Sequence, residues 1–131
     1  MPVEVYVVTP EREIWSGTAE MLIARGVDGE LGILGGHAPM MVQLAIGPLR
    51  IQPEGDASQE VRVVVDGGFM HVTSEGSETR VDVLANGAAL EDEIDVEAAR
   101  RRLEELGSQD QDDEDVQSAM ARAEARINLA G

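Results

Sequence analysis

The chain has 131 residues and a formal net charge of −16 at pH 7, with ten arginines, no lysine and no cysteine. That length holds one modest core with a smaller appended unit. The charge repels phosphate backbones, and only Tyr6, Trp15 and Phe69 could act as stacking platforms, so the composition argues against nucleic-acid binding.

The opening "MPVEVYVVTP" enters a strand pattern at once, with no basic-then-apolar leader, and no later apolar run approaches the ~20 residues that span a bilayer. Val3, Val5 and Val7 share one face, and Pro10 ends the run. Period-two alternation returns in "TAEMLIA" (18–24), "MMVQLA" (40–45), "LRI" (49–51), "VRVVV" (61–65), "FMHVT" (69–73) and "RVDVLA" (80–85). Between them lie turn signals: Gly26, Asp28-Gly29, Gly47-Pro48, "PEGDAS" (53–58), Gly67-Gly68 and "SEGSE". Many short strands with regular turns predict a β-sandwich or barrel of short antiparallel strands. The segment "DGELGILGGHAP" (28–39), rich in glycine, reads as a loop between strands.

From Asp95 the period changes. Val96, Ala99, Leu103 and Leu106 fall on one helical face, with Asp95 at the N-cap and Gly107 just past the end. "SQDQDDED" is a solvated connector whose last acids favour a helix N-terminus. Val116, Ala119, Met120, Ala123 and Ile127 then form a second apolar stripe. The expectation is a mainly β, α+β chain: a sandwich over 1–88, then an antiparallel two-helix hairpin over 89–131. The stripes are rich in alanine, so little area is buried per residue and the hairpin reads as detachable.

The glycine segment fails as a phosphate loop, which needs Lys followed by Ser or Thr at the head of a helix. His37 and His71, the two histidines, stand in separate segments with no third nitrogen or thiolate, which is no pattern for a transition metal. Ser16 and Ser74 lack a nucleophile elbow. No catalytic residue and no metal site is predicted, so the chain does not read as an enzyme by itself. The absence of cysteine suits the cytosol.

Taken together, "VVTPEREIWSGTAE" (7–20), "DGELGILGGHAPMM" (28–41), "IGPLRI" (46–51), "VDGGFMHV" (65–72) and "VDVLANGA" (81–88) resemble the epsilon subunit of bacterial F-type ATP synthases. The resemblance continues through "EIDVEAARRRLEEL" and "AMARAEARINLA", with Gly35 standing where that family usually has proline. It implies a non-catalytic subunit of the central stalk that couples proton-driven rotation of the c-subunit ring to ATP synthesis through the gamma subunit. The implied setting is peripheral, on the cytoplasmic face of the bacterial plasma membrane, without insertion into it.

In that family the Glu of the "GELG" turn faces the ring, which implies a ring-facing edge at Asp28, Glu30 and Leu31. The His of "GHAP" lies toward gamma, which implies that role for His37. Glycines at 26, 29, 32, 35 and 36 are expected to permit positive φ and close approach. The hairpin is the family's regulatory element, folded on the sandwich or extended along gamma to the alpha and beta subunits of the catalytic head. Some members bind ATP there through Ile/Leu-Asp, two residues, then Arg-Ala, plus two arginines on the second helix. Ile94, Asp95, Arg122 and Arg126 match, whereas Ala98 replaces the first-helix arginine. No cofactor is required, and ATP is expected as a weak ligand at most. The arginines have a competing use in pairing with acids such as Asp95 or Glu97. A stand-alone ATP sensor and an acidic adaptor are the alternative functions, and a β-barrel enzyme would need more histidines than two.

Overall fold

A computed structural model describes residues 1–55 and 57–131, with Ala57 described by its backbone alone. Seven strands are followed by two helices: β1 Val3–Val8, β2 Glu13–Gly26, β3 Gly29–Leu34, β4 Met40–Pro53, β5 Val61–Glu75, β6 Glu78–Ala85, β7 Ala88–Leu90, α1 Val96–Leu106 and α2 Glu114–Ala130. Short 3₁₀ turns stand at Ala57–Gln59 and Glu91–Glu93. The expected turn at 53–58 includes Asp56, which lies outside the described residues.

The strands run in the order β1-β6-β5-β4-β2-β3, and β1 also pairs with β2, so the first five of these close on themselves. β7 adds to β5 from Ala88 to Leu90, which carries the sheet past residue 88. The β-sandwich followed by two helices is the architecture read from the sequence, but three details differ. β1 runs parallel to β6, because closing the ring of strands brings the first strand beside the last long one. The segments 40–45 and 49–51 are one strand, as are 61–65 and 69–73. Pro48 is tolerated inside β4 because the ladder to β2 is interrupted there, between the Ile23–Arg50 and Gly26–Leu44 pairs.

The third difference concerns the glycine-rich loop. Residues 29–34 form β3, an edge strand paired along its whole length with β2. Its alternation is masked by glycine, yet Ile33 is fully buried while Glu30 and Leu34 face outward. Of the five glycines expected to use positive φ, Gly29 and Gly36 do so, and Gly26, Gly32 and Gly35 do not.

Inward-facing residues of every long strand make the main core, with Val3, Val5, Val7, Leu22, Ile33, Ile51, Met70, Val72, Val81 and Val83 fully buried. The run Val63, Val64 and Val65 is buried on both faces, and Val64 stands outside the main core cluster. Such a continuous apolar run belongs where a strand is covered on both sides, and α2 packs on β4 and β5 there. The substantial contacts of α1 are with α2, so α1 is the outermost layer.

Both helix starts are capped, the first by Asp95 as read and the second by Asp113 within the acidic connector. Asp95 accepts from the Ala98 amide at 3.0 Å, and Asp113 accepts from those of Asp115 and Val116 at 2.8 and 3.4 Å. The side-chain Nε2 of Gln111 donates to the carbonyl of Leu106 at 2.9 Å, closing the C-terminal end of α1. Leu129, outside the expected stripe, is buried, whereas Ile127 is half-buried.

Candidate functional site

The expected site residues fall at three places. At the first, residues 27 and 28 form the turn between β2 and β3, exposing Asp28 and Glu30 and half-burying Leu31. All three line one groove of about 440 Å³ that continues over Met40, Met41 and Gln43 of β4. Arg25 stands opposite Glu30 in the β2–β3 register, so this tip carries both signs of charge.

The second place is the turn after β3. The His37 amide donates to the Leu34 carbonyl at 3.1 Å, and ring Nδ1 lies 2.8 Å from the Ala38 carbonyl. Two hydroxyls of the β5–β6 hairpin hold the same turn: Thr79 accepts from the Gly36 amide at 2.7 Å, and Ser74 donates to the His37 carbonyl at 2.8 Å. At Gly35 an added Cβ would run into the backbone of Met1, so the absence of a side chain lets residue 1 lie against this turn. His37 is therefore held half-buried in a fixed turn by backbone contacts. Among the described residues no group of three or more His, Cys, Asp or Glu side chains could hold a metal ion.

The third place lies between sandwich and hairpin. A cavity of about 390 Å³ brings Ile94, Asp95, Arg122 and Arg126 together, with Ala98, Arg102, Asp66 and Glu93 also in its wall. Arg126 does not pair with Asp95 or Glu97. Its two terminal nitrogens donate to both carboxylate oxygens of Asp66 at 2.8 and 2.9 Å, and Nη1 also reaches the Arg122 carbonyl at 3.1 Å. The reason is tertiary: folding α2 onto β5 brings it to the Asp66 bend, where the Asp66 amide bonds the Gly87 carbonyl. This bidentate pair is mostly buried and clasps the hairpin onto the sandwich.

A second clasp joins the β1–β2 turn to the 3₁₀ turn before α1. Arg12 donates to both oxygens of Glu93 at 2.9 Å, and Glu93 also accepts from the Leu90 amide. The Arg12 hydrogen bond, with that of Leu90, holds the Glu93 carboxyl below its ordinary value.

One surface went unread in the sequence. Met41, Phe69 and Leu84 are at least half exposed on the outer face of three adjacent strands. Gln43 pairs with Phe69, which pairs with Leu84, and the Val27 amide bonds the Gln43 carbonyl, so exposed Val27 borders the same patch. The available signal was parity. Phe69 and Leu84 share phase with His71, Arg80 and Asp82, not with buried Met70, Val72, Val81 and Val83. A contiguous exposed apolar patch on a small acidic domain marks a docking surface.

With this geometry in place, comparison with known proteins is specific. A family model described as "ATP synthase, Delta/Epsilon chain, beta-sandwich domain" matches residues 2–91. The ATP synthase epsilon chain of Thermobifida fusca is 43% identical over 96% of this chain and 90% of its own length. That of Brevibacillus brevis is 50% identical over 76% of this chain and 74% of its own. Among solved structures, a chain in the OSCP/F1/c-ring portion of the Euglena gracilis mitochondrial ATP synthase superposes with a TM-score of 0.73 at 28% identity, covering 98% of this chain and 76% of that one. A sandwich of this topology, closed by a capped two-helix hairpin and matched along nearly its whole length, belongs to the delta/epsilon chain family of ATP synthases.

Proposed function

We propose that the chain acts as a non-catalytic docking and regulatory subunit of the central stalk, joining the c-subunit ring to gamma. The observation that carries this reading is the exposed apolar face of Met41, Phe69 and Leu84 beside a rigidly latched turn, on a family sandwich. Gamma covers that face and the His37 turn. The β2–β3 tip, with Asp28, Glu30 and Leu31, meets the polar loops of the ring. No described helix is long and apolar enough to cross a membrane, and the working position is peripheral, at the cytoplasmic face of the bacterial plasma membrane.

The hairpin regulates ATP hydrolysis by leaving the sandwich and extending toward the alpha and beta subunits of the head. ATP is a weak ligand of the cavity under the hairpin. Two features support weakness: Ala98 contributes no cation, and Arg126 is already neutralised by Asp66.

Cross-linking in the assembled complex tests the orientation. Cysteines at Asp28 and Glu30 should join c-subunit loops, and a cysteine at Phe69 should join gamma. Cross-links from positions 28 and 30 only to the catalytic head would overturn it.

A further inference from the structure

The inward columns of β5 and β6 change character toward the tip of their hairpin. Met70 and Val72 on β5, and Val83 and Val81 on β6, are fully buried and apolar, yet the next inward positions are Ser74 and Thr79. These two are direct cross-strand partners, and Thr79 also stands beside Val3 in the β1–β6 register. Among the described residues Thr79 is the one buried polar side chain. Valine would continue the column without the cost of burying a hydroxyl.

The turn that meets this end of the sandwich gives the hydroxyl its use. Gly36 has a φ of 84° and no side chain, so its own preferences do little to fix residues 35–39. Hydrogen bonds from the β5–β6 hairpin do so instead. The Gly36 amide donates to Thr79 Oγ1 at 2.7 Å, and Ser74 Oγ donates to the His37 carbonyl at 2.8 Å. Hydrogen count sets the direction between the two hydroxyls. Ser74 spends its one hydroxyl proton on His37, so in their 3.4 Å contact Thr79 is the donor. Threonine both accepts and donates here, and valine of nearly the same shape can do neither.

We propose, resting on the reading that gamma covers the His37 turn, that Thr79 is a positioning residue for docking. Buried beneath the turn, it acts with Ser74 to hold residues 35–39 in the conformation that gamma binds. The turn runs directly into Met40 and Met41 of β4, so the latch places both the His37 ring and the start of the exposed apolar face. A turn released from it spends only part of its time in the binding conformation, and apparent affinity falls by that fraction. The loss falls on association, since docking then waits on a conformational change.

Binding of the full chain to a core of alpha, beta and gamma subunits, followed by biolayer interferometry, tests this together with amide hydrogen exchange at Gly36 in the free chain. Thr79→Val should still unfold cooperatively, exchange the Gly36 amide faster and associate about tenfold more slowly. Thr79→Ser should restore both. Ser74→Ala, on an exposed side chain, should move both readouts the same way by a smaller factor, and it decides the matter if Thr79→Val does not fold. Ile51→Val, a buried substitution at the far end of β4, should lower stability and leave association unchanged. Association like that of the parent chain in the Thr79 and Ser74 variants, with Phe69→Ser slowed, overturns the positioning role alone. An equal loss in Ile51→Val also overturns it, by making stability the cause. If Phe69→Ser too binds like the parent chain, gamma does not use this face, and the docking reading falls together with the role of Thr79.

Discussion

Gly68 is the residue whose replacement should cost most. It lies inside β5 with φ of 126°, and an added Cβ would stand 2.2 Å from the Leu84 carbonyl oxygen and 2.9 Å from Ala85 Cα. Both obstacles are backbone, so no rotamer relieves them. Gly68→Ala should destabilise the sandwich by about 3 kcal/mol or more, read by urea unfolding. Gly35 differs, because its obstacle is Met1, which is exposed and lies outside β1. Gly35→Ala should displace Met1 with little loss of stability, and a loss as large as that of Gly68→Ala would contradict the assignment. At the same scale, Glu93 gives a pH signature. Its carboxyl is held below the ordinary 4.5 in the folded state. A depressed folded value means the Arg12–Glu93 clasp contributes fully above the unfolded glutamate range and is lost as pH falls through the depressed value. The stability difference between the parent chain and Glu93→Gln should therefore be constant near neutrality and shrink in acid. A difference that grows on acidification would show the sign is wrong.

The hairpin is held by few contacts, and that decides its behaviour as an element. Its own small core is Leu106, Val116 and Ala119, with Met120 packed against it. Alanine faces bury little area, so the Arg126–Asp66 pair is a large share of what fastens α2. Asp66→Ala should loosen the hairpin by about 2 kcal/mol. Labels placed on α2 and β6 would report an extended fraction rising roughly thirtyfold, by the conversion of free energy to an equilibrium constant. An unchanged distance distribution would mean that packing alone holds the helix. The same pair bears on nucleotide binding. Calorimetry of ATP with the full chain should show affinity weaker than micromolar, and Ala98→Arg should tighten it. The absent charge-assisted bond, of ~1.5–3 kcal/mol, corresponds to roughly ten- to a hundredfold. A micromolar or tighter constant in the parent chain would refute this.

At the scale of the whole molecule, sandwich and hairpin are expected to separate on truncation. The main core draws on strands β1 to β6 and on no residue of either helix. Because β7 pairs with β5 through Leu90, a truncation that keeps the sheet intact must end after that residue. A chain of residues 1–91 should unfold cooperatively, bind gamma and support coupling. It loses the cover over Val64, so some loss of stability is expected. In the assembled complex, hydrolysis measured with and without residues 92–131 should be faster without them. A truncated domain lacking a cooperative transition would place the hairpin inside the folding unit.

Much of this was legible in the sequence by itself, because it depends on local chemistry. Alternating valines named the buried face of β1, and Asp95 and Gly107 bounded α1, since caps and periodicity act over a few residues. The family motifs were legible for the same reason: their residues lie together in the chain. What the sequence left undecided is non-local. Glycines at 29 and 32 hid β3, because a strand's identity there comes from pairing with β2 and from burial of Ile33, not from its own propensity. Gly47-Pro48 and Gly67-Gly68 read as turns, yet the sheet carries β4 and β5 straight through them. The partner of Arg126 could not be chosen either. Asp95 and Glu97 lie nearer along the chain than Asp66, and only the docking of α2 on β5 settles which carboxylate the guanidinium meets. Local pattern determines which residues can be strand, helix and cap; long-range pairing decides which of them touch.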